Sequence, residues 1–190
     1  MGQTRYTGVA IAFHWIIGLL IIVNVGLAWA WPLAPDEAVR PMINNHKAIG
    51  VTVLGLVIMR LLWRWAHPAP PLPTHHKPWE KRAAHAVHIA LYVVMFAIPL
   101  TGWIMDSAWE KAAEVPMPYF GLFEFPRIGF IMDMDPATRK SIHDVFGEGH
   151  EISGWILIAL FAFHVGGALK HQFIDKDREL ARMGIGRAEA

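Results

Sequence analysis

The stretch 150-HEISGWILIALFAFH-164 opens and closes with histidine, and the thirteen residues between are almost all apolar. A helix needs about 20 apolar residues to cross a bilayer core. With its flanks this stretch reaches that length, at approximately 149–170, and three similar runs precede it at approximately 8–31, 45–65 and 84–106. A soluble bundle of four buried helices would need more charge than this chain has, with 54% hydrophobic and 17% charged residues to solvate its outer faces. The expected fold is therefore an all-α membrane protein, a four-transmembrane-helix bundle forming one domain over residues 1–190.

The first run resembles a secretory signal, with Ala28-Trp29-Ala30 in the place of a cleavage site. Its apolar stretch is too long for a signal core and it carries His14, so it reads as a retained first span. The chain has no cysteine, which excludes disulfides, iron–sulfur clusters held by thiolates and covalently attached haem, while non-covalent haem stays open.

An even number of spans puts both termini on one side, with the loop between spans two and three. That side holds Arg5, Arg60, Arg64, Lys77, Lys81, Arg82, Lys170, Lys176, Arg178, Arg182 and Arg187. The other holds Arg40, Lys47, Lys111, Arg127, Arg139 and Lys140. Basic residues favour the cytoplasmic side, so both termini are expected in the cytoplasm, and in a bacterium the opposite face is periplasmic. The inner loop from His67 is proline-rich and expected to be an extended connector. The outer loop, 107–148, is long for a connection and so a candidate for function. It holds "PYFGLFEFP", apolar enough for the membrane surface, and "DPATRKSIHDVF", where Asp135 is placed to cap a short helix with Pro136 in its first turn. Tryptophans cluster at the span ends, as an aromatic belt does.

Ionisable side chains inside a span are costly and mark function by default. Of the eleven histidines, His67, His75 and His76 fall in a polar loop and read as solvated. His14, His46, His85, His88, His150 and His164 lie in or beside spans, and His143 and His171 flank the fourth. Fourteen residues of helix turn through about 1400°, about 40° short of four turns, so His150 and His164 share a face about 21 Å apart along the axis. Two ligands so separated cannot hold one metal; they suit one ligand for each of two centres. Partners at matching depths are His14 for His164 and His46 for His150. Two imidazoles facing across a gap suit haem iron, filling both axial positions. A zinc or copper site at the level of His14, His88 and His164 is the rival, but it leaves the outer pair unexplained. Arg60 and Arg64, one turn apart at the inner end of span two, are placed either to contact haem propionates or to snorkel to the headgroups.

The segments "AFHWIIGLLI", "NNHKAIGVTVLGLVIMRLLWR", "AHAVHIALYVVMFAIPLTGWIMDSA" and "HEISGWILIALFAFHVGGALKHQFIDKDRELARM" resemble the bacterial cytochrome b561 family over nearly the whole chain. The resemblance implies two haems b, with His14 and His164 holding the inner and His46 and His150 the outer. It implies a multi-pass protein of the bacterial inner membrane that passes electrons between a periplasmic donor and ubiquinone, in one type from superoxide, making the chain a superoxide:ubiquinone oxidoreductase. His171 matches a position associated with quinone, and His85 and His88 match a pair that does not ligate haem. Membrane lipid, ubiquinone and superoxide or another periplasmic donor are the partners implied, a redox partner protein is open, and no nucleic acid is expected. The alternative function is an anchor subunit relaying electrons for a hydrogenase or dehydrogenase; a cytochrome that only buffers electrons is a third. Charge argues against superoxide, because acidic residues outnumber basic ones on the outer side, although Arg40 and Lys47 flank His46 and Arg139 and Lys140 precede His150.

Overall fold

The computed structural model describes residues 5–71, 77–177 and 179–186; His75, His76, Arg178 and Arg187 lie outside them. Four long helices dominate: α1 (Gly8–Ala30), α2 (Asp36–Ala66), α3 (Pro78–Ala108) and, after two short strands and a single turn, α5 (Pro136–Leu169). All four are long and apolar enough to cross a membrane. Their large apolar side chains point mostly outward, among them Leu19, Leu62, Val93 and Phe163, as lipid-facing residues must when lipid takes the place of a core. The small buried core, Ile17, Ile49, Val53, Val57 and Met95, lies where α1, α2 and α3 meet.

The helices run past the limits that hydropathy alone predicts. At about 1.5 Å per residue the 31 residues of α2 and of α3 and the 34 of α5 exceed the roughly 30 Å bilayer core. Asp36 and Glu37 occupy the first turn of α2, where the helix dipole favours negative charge. Pro78 opens α3, and the Glu80 carboxylate accepts from the Lys77 backbone N–H at 3.0 Å. Asp135 does cap a helix with Pro136 in its first turn, accepting from the N–H groups of Ala137 and Thr138 at 3.1 Å each. That helix is not a short separate one, however, but α5 itself. Nothing between Pro136 and His150 breaks the backbone ladder, so the helix continues beyond the point where charged residues end the hydropathic signal.

What remains of the outer loop folds into a cap. Strands β1 (Pro118–Tyr119) and β2 (Phe123–Glu124) pair antiparallel, with Phe120 and Gly121 both at positive φ in the turn. The Tyr119 hydroxyl and the Thr52 hydroxyl share a 2.9 Å hydrogen bond that ties the hairpin to α2. The one-turn helix α4 (Gly129–Met132) follows. Arg127, with a side chain 4% exposed, organises this cap: it donates to the carbonyls of Ala112 and Val115 at 2.7 and 2.8 Å and to Asp106 at 2.9 Å.

At the opposite end the N-terminal segment, the connector after α2 and the C-terminal tail meet. Trp15 donates its indole N–H to the Met183 carbonyl at 2.8 Å, and Arg182 donates to the carbonyls of Pro70 and Pro71. The end of α5 passes into a π-helical turn, Lys170–Ile174, and a last short helix α6 (Glu179–Arg182) follows. Helix α3 packs along α5, α1 along α2, and α2 along α3. The close-packed pairs do not include α1 with α5 or α2 with α5.

Candidate cofactor site

Both of these helix pairs, α1 with α5 and α2 with α5, carry facing histidines. His14 of α1 meets His164 of α5 with ring centroids 5.9 Å apart, and His46 of α2 meets His150 of α5 at 6.0 Å. Imidazole nitrogens bind a metal at about 2.0–2.1 Å, and rings at these separations leave room for one metal between each pair. The structure thus brings together the four histidines that sequence spacing matched by depth, at two levels on one face of α5.

Second contacts orient the rings. His46 Nδ1 donates to the Asn24 carbonyl at 3.1 Å, and His150 Nδ1 donates to the Ile98 carbonyl at 2.8 Å. A carbonyl can only accept, so Nδ1 carries the proton and the Nε2 lone pair is left for a metal, the arrangement usual for ligating histidine. At the other level His14 Nδ1 faces the Arg60 guanidinium, which donates to it at 3.2 Å. A cavity there is lined by His14, His164, His88, Arg60, Tyr92 and Gly18 among others.

Each of the four histidines has a glycine one turn on along its own helix: Gly18 after His14, Gly50 after His46, Gly154 after His150 and Gly167 after His164. Residues three or four apart share a helix face. A side chain added at Gly18, Gly154 or Gly167 would meet nothing within 4 Å, and one at Gly50 only the Asn24 amide at 3.8 Å. His88, His85 and His171 have no glycine at either spacing, while His143, outside the two facing pairs, is followed by Gly147. Open space at Gly18, Gly154 and Gly167, the cavity at His14 and His164, helices held apart at both levels and Nε2 left free at the outer level together fit a flat macrocycle. The site residues therefore fit haem.

Sequence reasoning missed this glycine pattern, although the spacing is visible in the chain. It also missed Gly102, whose backbone lies against the His150 ring: an added Cβ would stand 3.0 Å from Cε1 and 3.1 Å from Nδ1. No sequence signal identifies Gly102, nor the carbonyls of Asn24 and Ile98, because each matters only through a neighbour on another helix.

The remaining candidates fall elsewhere. His88 stands beside His164, with ring centroids 5.2 Å apart, so three imidazoles share that level. Among the described residues the group tight enough for a single ion is instead His171, Asp175 and Asp177. There Lys170 already holds Asp175 at 2.6 Å, where a bound cation would add charge to charge. His171 Nδ1 lies 2.7 Å from the Asp175 carboxylate and 3.3 Å from that of Asp177, in the π-helical turn and outside the lining of the His14 cavity. His143 donates Nδ1 to the Met105 carbonyl at 2.9 Å, tying α5 to α3. Arg64, half-buried, follows Arg60 by one turn of α2.

Near His46 the outer end gathers positive charge. Lys47 and Arg127 share the Asp106 carboxylate, which is 7% exposed. The Lys47 and Arg40 side chains approach the Trp109 ring at 5.8 and 5.2 Å, and Arg139 donates to the Trp109 carbonyl.

Residues 5–186 match the family described as prokaryotic cytochrome b561. Cytochrome b561 homolog 2 of Escherichia coli (strain K12) is 34% identical over 182 residues, 94% of this chain and 90% of that protein. Cytochrome b561 homolog 1 of the same organism is 26% identical over 183 residues, 95% of this chain and 97% of its own. A protein of Yersinia pestis named probable superoxide oxidase CybB is 24% identical over 183 residues, 94% of this chain and 95% of its own. With four membrane-spanning helices and a match across almost its whole length, the chain belongs to the prokaryotic cytochrome b561 family of haem b-binding, multi-pass membrane proteins of electron transfer.

Proposed function

We propose that the protein is a superoxide:ubiquinone oxidoreductase that carries two haems b and spans the bacterial inner membrane with both termini in the cytoplasm. The observation that carries this reading is the pairing of histidines at two levels, His46 with His150 and His14 with His164, along one face of α5. The overall reaction is two superoxide anions plus ubiquinone plus two protons, giving two dioxygen molecules and ubiquinol. Haem b held by these histidines would supply reversible one-electron transfer.

The chain's own residues do the rest. His46 and His150, with Nδ1 committed to backbone carbonyls, present Nε2 as ligands near the periplasmic face; His14 and His164 do so near the cytoplasmic face. Lys47, Arg40 and Arg139 meet at Trp109, and Lys47 shares its counter-charge Asp106 with the buried Arg127. A patch of one sign raises the arrival rate of a small ion of the other, which favours an anionic donor at this end despite the acidic residues elsewhere on the outer side. Of the two arginines placed for propionate contacts, Arg60 is engaged with His14 and Tyr92, which leaves Arg64 as the candidate, and His171 is the candidate for quinone at the cytoplasmic end. The name of the Yersinia pestis relative supports superoxide as donor, and the basic residues gathered at the terminal end support the orientation.

A count of haem per purified chain, followed by reduction with a superoxide pulse and exogenous ubiquinone, tests the reading. Two haems reduced far faster than superoxide decays, with ubiquinol formed, is the expected result. Two haems that superoxide leaves oxidised would reject the donor. A second reading, an anchor subunit for a periplasmic hydrogenase or dehydrogenase, draws on the exposed Leu122, Phe123 and Phe130 of the outer cap. A redox partner that co-purifies at fixed stoichiometry would favour it.

A further inference from the structure

We propose that the chain itself sets the two centres at different potentials, and that Arg60 makes the His14/His164 centre the more readily reduced. The proposal rests on the two-haem reading above. Its basis is an asymmetry in what surrounds the two histidine pairs.

At the His14 level the nearest charged group is the Arg60 guanidinium. It contacts His14 Nδ1 at 3.2 Å, lies 5.7 Å from the centre of the Tyr92 ring and lines the same cavity. Its partners are thus an imidazole and an aromatic ring; among the described residues no carboxylate lies within ion-pair distance of it. A guanidinium has no acceptor and stays protonated in proteins, so its charge is permanent. Coordination through Nε2 puts the proton of His14 on Nδ1, which then no longer accepts from Arg60. What acts on the centre is the charge, not that hydrogen bond.

At the His46/His150 level the arrangement is reversed. Both rings donate Nδ1–H to carbonyl oxygens, which makes the opposite nitrogen a more basic ligand. Of the cations at that end, Lys47, next to His46, shares the Asp106 carboxylate with Arg127, which partly offsets both charges; Arg40, over the Trp109 ring, is exposed to water, and Arg139 donates to the Trp109 carbonyl.

Reduction of a ferric centre adds one negative charge. A fixed positive charge beside it favours the ferrous state, and does so strongly where water is excluded. A more basic axial ligand favours the ferric state, and hydrogen bonding, ligand character and burial are the levers a protein has on haem potential. Both effects raise the potential at His14/His164 relative to His46/His150. An electron passed from the second to the first oxidises one iron from ferrous to ferric and reduces the other from ferric to ferrous. The transfer moves no proton and runs downhill from the cap end to the terminal end.

The test is spectroelectrochemical potentiometry of the purified haem-loaded protein, wild type against Arg60→Gln, Arg60→Lys and Asp106→Asn, with His164→Ala to assign the midpoints. The wild type should show two one-electron midpoints, the higher lost in His164→Ala. Arg60→Gln should lower the higher midpoint by about tenfold in the reduction equilibrium, 59 mV for one electron, and move the lower by far less; Arg60→Lys should keep most of the separation. Asp106→Asn, which frees two cations near the other centre, should raise the lower midpoint and narrow the gap, and it reports even where Arg60→Gln loses haem. Two haems whose higher midpoint belongs to His46/His150, or an Arg60→Gln shift that is absent or equal at both, would overturn the proposal alone. One haem per wild-type chain would overturn the two-centre reading and this proposal with it.

Discussion

Substitution of Gly102 by alanine separates the role of the α3 backbone in seating His150 from the ordinary effects of a helical glycine. The added Cβ would stand 3.0 Å from Cε1 and 3.1 Å from Nδ1 of His150, so the ring must retreat by a few tenths of an ångström. Its 2.8 Å bond to the Ile98 carbonyl then lengthens or bends. Overpacking of this kind costs about 1–3 kcal/mol, and loss of a ring's supporting contact typically weakens metal binding by about 10–100-fold. Against this, alanine gains up to about 1 kcal/mol over glycine in a helix interior. The two effects oppose each other in overall stability, so the melting temperature is a poor readout and haem retention a sharp one. The assay is haem per chain after purification and dilution, together with the midpoint of the remaining haem. The expected outcome is loss or weakened hold of the His46/His150 haem, with the other intact. Gly26→Ala, at an exposed position with nothing within 4 Å, should gain the helix term alone and keep both. If Gly102→Ala retains both haems through the same dilution as wild type, the close approach to His150 has no part in seating the cofactor.

Three further outcomes are expected. His14→Ala and His150→Ala should each remove one haem and leave the other, as separate absorption changes; loss of both from either variant would argue for a single shared centre. Gly18→Leu fills the open space beside His14 and should block the haem at that level while His46/His150 still loads. The Thr138 hydroxyl, the Thr138 N–H and the Ala137 N–H hold the Asp135 carboxyl below its usual range. A carboxyl with a depressed folded value stabilises fully above its unfolded value of about 3.9 and loses that contribution as pH falls through the folded one. Hydrogen-exchange protection at residues 137–139, measured relative to the intrinsic rate at each pH, should therefore fall in acid in the wild type, and Asp135→Asn, which keeps an acceptor without the charge, should flatten that dependence.

Four apolar runs of membrane length, the absence of cysteine and histidines matched in depth were all legible in the chain, because each is a local or periodic property. Hydropathy marks where a helix is in lipid, not where it ends, so α2, α3 and α5 outrun their spans and the long outer loop shrinks to a hairpin and a turn. Depth follows from helical rise alone, and His14, His46, His150 and His164 could be paired on paper for that reason. Whether the paired rings meet depends on how α1 and α2 stand off from α5, which packing decides. The carbonyls of Asn24 and Ile98, the approach of Gly102 to His150, the guanidinium of Arg60 at His14 and the burial of Arg127 and Asp106 arise between segments far apart in sequence. The chain by itself thus determined a four-span histidine-bearing bundle, since span length and helical period are written residue by residue. Only the tertiary structure decided how each ring is oriented and charged, because orientation and field come from neighbours that the chain order does not place together.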